Sequence, residues 1–186
     1  MVELSELNMN QKTHSKSFST LAIDAKNNPT SFAVLYNHYI QPVYRYLRSR
    51  VQTTQEAEDL TSQTFMTAYE RMHAYQERGY FSAWVFRIAR SKLIDHYRGS
   101  KPFISLDMIE NTATMGDTLG QVVHQDEMQI LKQIIHDLDE EQRDLIQLRY
   151  VANLSFAEIA QILGKREAAV KKSLYRLLAG IKSRME

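Results

Sequence analysis

The sequence has no cysteine at all. Disulfides, thiolate metal sites and cysteine nucleophiles are therefore excluded, and the absence fits a reducing compartment. It has only three prolines and six glycines in 186 residues, so little interrupts long helices. No apolar run approaches the roughly 20 residues that span a bilayer, and residues 1–20 lack the apolar segment of a signal peptide. Net charge is +1, so any nucleic-acid partner must be inferred from where charges sit. The phosphate loop, the nucleophile elbow and the His-Glu-x-x-His helix are all missing. The six histidines (14, 38, 73, 96, 124 and 136) show no ligand spacing. The chain is read as a non-enzyme with no cofactor, no metal and no small-molecule substrate.

Between the few breakers, apolar residues recur at helical spacing, and no segment alternates long enough to suggest a sheet. The expected fold class is all-α, with two small helical domains joined by a flexible linker. Residues 1–20, rich in Ser, Thr, Asn, Gln and Lys, are expected to form a mobile tail. The first domain is placed at 21–100. A short helix is expected near Leu21–Lys26, followed by helices over Thr30–Arg48, Thr53–His73 and Phe81–Arg98. Asn28-Pro29 sets the start of the longest, because proline suits a first helical turn. Residues 101–125 hold Pro102, Gly116 and Gly120 with little periodicity and read as a linker.

The second domain is placed at 126–186. One helix is expected over Asp126–His136 and another from Asp139, where Gln142 completes a capping box. Ser155 and Glu158 form the same pattern, and Gly164 can supply the left-handed turn that ends that helix. The last helix spans Arg166–Arg184. A short helix, a glycine turn and a longer basic helix make a helix-turn-helix arrangement. At 100° per residue, Val170, Leu174, Leu177, Leu178 and Ile181 share one face of the last helix. Arg166, Lys171, Lys172, Tyr175 and Arg176 are available to a partner. Seven Lys or Arg against two Glu over 165–186 suit duplex DNA in a major groove.

The helix from Thr53 has the opposite character. Glu56, Asp59, Ser62, Gln63 and Met66 form one stripe, and no cation occurs between Val51 and Glu70. Phosphates would be repelled there. An exposed methionine in an acidic stripe suits a protein partner. On the next helix, Arg87, Arg90, Ser91 and Arg98 line one side, after a loop with Tyr75 and Gln76. Cations beside aromatics suit single-stranded nucleic acid. Trp84 is read as core.

These stretches resemble the sigma factors of the sigma-70 family, in its compact extracytoplasmic-function (ECF) group. Phe32-Ala33-Val34-Leu35-Tyr36 with Val43-Tyr44-Arg45-Tyr46 resembles the opening of region 2. Glu58-Asp59-Leu60 through Thr64-Phe65 resembles its polymerase-binding helix. Phe81-Ser82-Ala83-Trp84-Val85-Phe86-Arg87-Ile88-Ala89-Arg90 and Leu93-Ile94-Asp95-His96-Tyr97-Arg98 resemble the helix that meets the −10 element. Leu148-Arg149-Tyr150, Ser155-Phe156-Ala157-Glu158-Ile159-Ala160 and Val170-Lys171 resemble region 4, which reads the −35 element.

The resemblance implies a cytoplasmic protein without membrane insertion that binds core RNA polymerase, through its β′ clamp and β flap, and promoter DNA. It suggests an anti-sigma protein as a further partner, and it implies that regions 1.1 and 3 of larger sigma factors are missing. It assigns Glu56, Asp59, Ser62, Gln63 and Met66 to polymerase. Tyr75, Gln76, Arg87, Arg90, Ser91 and Arg98 go to the −10 element, and Arg166, Lys171, Lys172, Tyr175 and Arg176 to the −35 element. The chain departs from the family pattern at Ser62 and Gln63, where glutamine then an acid is usual. It departs again at Arg166, Ala169 and Ser173 of the recognition helix, so no −35 sequence preference carries over. The alternative from the residues alone is a stand-alone helix-turn-helix regulator that binds duplex DNA without polymerase.

Overall fold

The computed structural model describes residues 18–76, 80–98, 133–135 and 137–185. The expected linker 101–125, most of the tail 1–20 and most of the helix Asp126–His136 lie outside them. Among the described residues there is no strand, in keeping with the all-α expectation.

The first block contains α1 (residues 18–24), α2 (Pro29–Arg48), α3 (Thr54–Glu70) and α4 (Phe81–Tyr97), with a 3₁₀ turn at Met72–Ala74 after α3. Pro29 opens α2, and the Asn28 side chain accepts from the Thr30 N–H at 3.0 Å. Thr53 and Glu56 close a capping box at the start of α3, each side chain taking the other's backbone N–H. Rings tie the three long helices together: Phe32 meets Tyr69, Tyr36 meets Phe65 and Tyr46 meets Phe86, with centroids 4.9–5.6 Å apart. Such contacts add to the apolar area that these residues bury.

The second block holds a helical turn at 133–135, then α5 (Glu140–Ile146), α6 (Phe156–Leu163) and α7 (Glu167–Met185). Both capping boxes expected from the sequence are formed, Asp139 with Gln142 and Ser155 with Glu158. Gly164 ends α6 at φ +67°. A Cβ there would meet no neighbour within 4 Å, so the glycine is needed for its backbone conformation alone. Gly164→Ala is expected to lower stability by about 1–2 kcal/mol, measured by urea denaturation. A neutral result would mean that the turn readily adopts another conformation.

One element escaped the periodic pattern. After α5 the chain passes into a π-helical turn, Gln147–Val151, where the Ala152 N–H reaches back to the Gln147 carbonyl. Such wide turns are short and lack a sequence signature. The two blocks also pack on each other: a single cluster of buried side chains runs from Ala22 to Ile181 through both.

Candidate nucleic-acid and partner interface

The α3 stripe points outward. Ala57, Leu60, Thr61, Thr64, Phe65 and Ala68 face the core, which leaves Asp59, Ser62, Gln63 and Met66 exposed on the other side. Met66 is 63% exposed. Asp59 accepts from the Gln55 amide at 3.1 Å. Glu56 is partly withdrawn from this surface. The Thr53 backbone N–H holds its carboxyl below the ordinary range; burial opposes this, and the Thr53 hydroxyl and His96 add to it. His96 Nε2 stands 3.4 Å from Glu56 Oε1.

The loop before α4 requires a correction. Tyr75 was expected to meet the −10 element, but it is buried, with its ring against Phe81 and Trp84 at centroid distances of 5.8 and 5.0 Å. A ring held in an aromatic cluster has no face to offer a base. Gln76 is exposed. On α4, Arg87, Ser91 and Arg98 are exposed and Arg90 is half-buried. Arg98 lies 3.4 Å from Asp95.

Arg87 and Arg90 are engaged by the second block. Arg87 donates to the Gln161 carbonyl of α6, its Nε at 3.1 Å. Arg90 Nε donates to Asp144 Oδ2 at 2.8 Å. Ser82 donates to Glu158 of the α6 capping box. Beneath these lies Arg50, just past α2 and 1% exposed, paired with Asp144, which is also 1% exposed. Gln147 Oε1 accepts from Arg50 at 3.2 Å and the Tyr46 hydroxyl donates to Asp144 at 3.0 Å. Burial, then the Asp144 charge, pushes the Tyr46 phenol well above its ordinary value, so it stays a donor. Nothing in the local sequence marks Arg50 as buried. Asp144 carries a faint signal, one acid beside the apolar Leu145, Ile146 and Leu148.

On α7, Val170, Leu174 and Ile181 are buried and Leu177 and Leu178 half-buried. Arg166, Lys171, Lys172, Tyr175 and Arg176 are all exposed, but they do not form one flat patch. Lys171 and Tyr175 flank Phe156: Lys171 Nζ lies 5.4 Å from its ring centroid and the two rings are 6.2 Å apart. Arg149 lies over the same ring at 4.9 Å, a basic-aromatic cluster that reaches beyond α7. Arg176 sits instead on the rim of an open groove of about 650 Å³ with Leu138, Leu145, Leu177 and Ile181. Lys172 lies between these two flanks.

Comparison with known proteins decides the family. The model of Sigma-70 region 2 matches residues 35–102, and that of Sigma-70 region 4 matches residues 128–179. Together they take in more than half of the chain. The chain belongs to the sigma-70 family. Its curated relatives place it in the ECF group. It is 33% identical over 150 residues to the ECF RNA polymerase sigma factor BldN of Streptomyces coelicolor, a match that takes in 78% of this chain and 57% of BldN. This sigma factor thus spans a little over half the length of that relative. It is 29% identical over 150 residues to the ECF sigma factor SigM of Bacillus subtilis, covering 80% of this chain and 91% of SigM.

Among solved structures, CnrH in complex with the cytosolic domain of CnrY matches with a TM-score of 0.60 at 21% identity, over 89% of this chain and 94% of that one. RpoE of Bartonella quintana, in complex with the anti-sigma factor NepR, matches with a TM-score of 0.58 at 18% identity, over 83% and 96%. At these identities the match shows the shared fold. As a sigma factor, the chain acts in transcription initiation by RNA polymerase. Among the described residues, no helix is long and apolar enough to cross a membrane.

Proposed function

We propose that this sigma factor fastens to core RNA polymerase through the exposed stripe of α3 and meets the promoter through the two basic helices, working in the cytoplasm without catalysis of its own. The observation that carries the assignment is the separation of charge by helix. The outward face of α3 offers Asp59, Ser62, Gln63 and Met66 and no cation, while α4 exposes Arg87 and α7 exposes Lys171, Lys172 and Arg176, with Arg45 of α2 exposed as well. An acidic-amide surface around an exposed methionine fits a protein partner, here the β′ clamp. Arg87, Arg90, Ser91 and Arg98, with Gln76, take the −10 strand. The basic-aromatic flank of α7 and Lys172 take the −35 duplex, with Arg166 at the helix start and Arg176 at the opposite edge. The division into polymerase-and-−10 residues at 21–100 and −35 residues at 126–186, with 101–125 between them, belongs to the same proposal.

Two modest contacts joined in one chain gain through effective concentration, and unstacking a base costs a few kcal/mol. Each block is therefore expected to bind its element weakly when polymerase does not hold the duplex. Fluorescence anisotropy on a promoter fragment tests this. Affinity is expected to rise by a factor of about 100 or more when core polymerase is added. Tight, sequence-specific binding by the chain alone would favour the stand-alone regulator. An anti-sigma protein that covers these same surfaces is a further part of the proposal, supported by the ECF membership.

A further inference from the structure

The surface proposed for the −10 strand is partly covered by the chain itself. Arg87 donates into α6 and Arg90 is tied to Asp144 of α5. An arginine whose donors are satisfied by a carboxylate or a carbonyl cannot give those donors to a phosphate. Other N–H groups of each guanidinium remain, so packing of the two blocks competes with use of α4 on DNA at these side chains.

One pair dominates this packing. Arg50 leaves the end of α2 and buries its guanidinium against Asp144, supported by Gln147 and Tyr46, with Glu140 at 3.6 Å. Its Nε has no partner among the described residues. A buried ion pair contributes little net attraction, because desolvation offsets the Coulomb gain, but removing one partner strands the other charge. Here the stranded charge has an escape, since separating the blocks returns it to water. Solvent reaches close to the pair: an open depression of about 270 Å³ lies between Arg90, Glu140, Glu141, Ile162, Leu163 and Lys165. Asp144 of the second block holds two arginines of the first at once, one oxygen on Arg50 and the other on Arg90.

We propose that Arg50 and Asp144 form an internal latch that holds this sigma factor in a closed state, in which Asp144 occupies Arg90 in place of a DNA phosphate. The inference rests on the assignment of α4 to the −10 strand only for the consequence of opening. The closed state itself is a claim about the free chain. Opening breaks Arg50–Asp144, Arg90–Asp144, Arg87–Gln161 and Ser82–Glu158 together, so it is expected to be all-or-none.

The absence of cysteine allows spin labels at two introduced sites on the full chain, Asn37→Cys on α2 and Ala179→Cys on α7, both exposed. Pulsed electron–electron resonance on the free protein should give one narrow distance distribution. Asp144→Asn keeps the shape and removes the charge. It is expected to raise the open, broad fraction on the order of tenfold or more. Arg50→Gln, which removes the charge from the other side, should do the same. Glu140→Gln, at the exposed edge of the pair, should leave the distribution narrow. A broad distribution in the parent protein, or narrow ones in both folded variants, would overturn the latch. Loss of helicity in both variants by circular dichroism would also overturn it, because the pair would then be a folding element. No DNA is present, so a failure here leaves the assignment of α4 standing. That assignment is read separately from the affinity of the opened variants for a −10 single strand, expected to rise with the open fraction.

Discussion

Asp59→Arg is expected to lower affinity for core RNA polymerase at least about 30-fold while leaving the fold unchanged. Asp59 is exposed on α3 and turned away from Ala57, Leu60, Thr61 and Thr64, which hold that helix to the core. Its carboxylate accepts an exposed hydrogen bond from Gln55, and such surface replacements usually change stability by no more than about 0.5 kcal/mol. In an interface the effect is much larger. Truncating one partner of a buried charged pair costs about 2–5 kcal/mol, and each 1.4 kcal/mol is tenfold in affinity. Reversing the charge adds repulsion to that loss. Competition binding against the parent chain gives the affinity, and thermal unfolding gives the control. Glu56 makes an instructive contrast. It caps α3 and stands beside His96, so Glu56→Ala is expected to reduce stability as well as binding. Equal affinity for Asp59→Arg and the parent would move the polymerase surface off this face of α3.

The second large effect concerns α7. Lys172→Ala with Arg176→Ala should weaken binding to −35 duplex about tenfold or more at low salt. It should also reduce the slope of log affinity against log salt by about 2, one unit for each phosphate no longer neutralised. The two residues are not equivalent. Lys172 lies in the middle of the exposed surface, whereas Arg176 borders the groove with Leu177 and Ile181. The larger part of the affinity loss is therefore expected from Lys172→Ala, while each replacement lowers the salt slope by about one unit. Titration over a range of salt concentrations separates weaker phosphate binding from a general loss of fold. An unchanged slope would mean that the opposite flank, around Phe156, Tyr175 and Arg149, carries the duplex without these two cations.

What the sequence disclosed was whatever is local. Asp139 with Gln142, Ser155 with Glu158, and Gly164 each act over three or four residues, and each is found as the spacing requires. The faces of α3 and α7 followed from periodicity for the same reason. Tyr75 was misjudged because an aromatic in a loop has the same local appearance whether its ring faces water or a cluster such as Phe81 and Trp84. The π-helical turn at Gln147–Val151 widens a helix without a marker residue. The pairing of Arg50 with Asp144 was not legible, for another reason. They lie 94 positions apart, and the burial of each is settled only when the two blocks meet. The charged residues on α4 were legible as a basic stripe, but not as groups already engaged by α5 and α6.

Whether this chain gives RNA polymerase its promoter is read from run-off transcription with purified core enzyme and genomic fragments, in the presence and absence of the chain. Transcripts from discrete start sites are predicted only when both are present, and Asp59→Arg should reduce them in step with its loss of affinity. No transcript above the level of core enzyme alone would contradict the account.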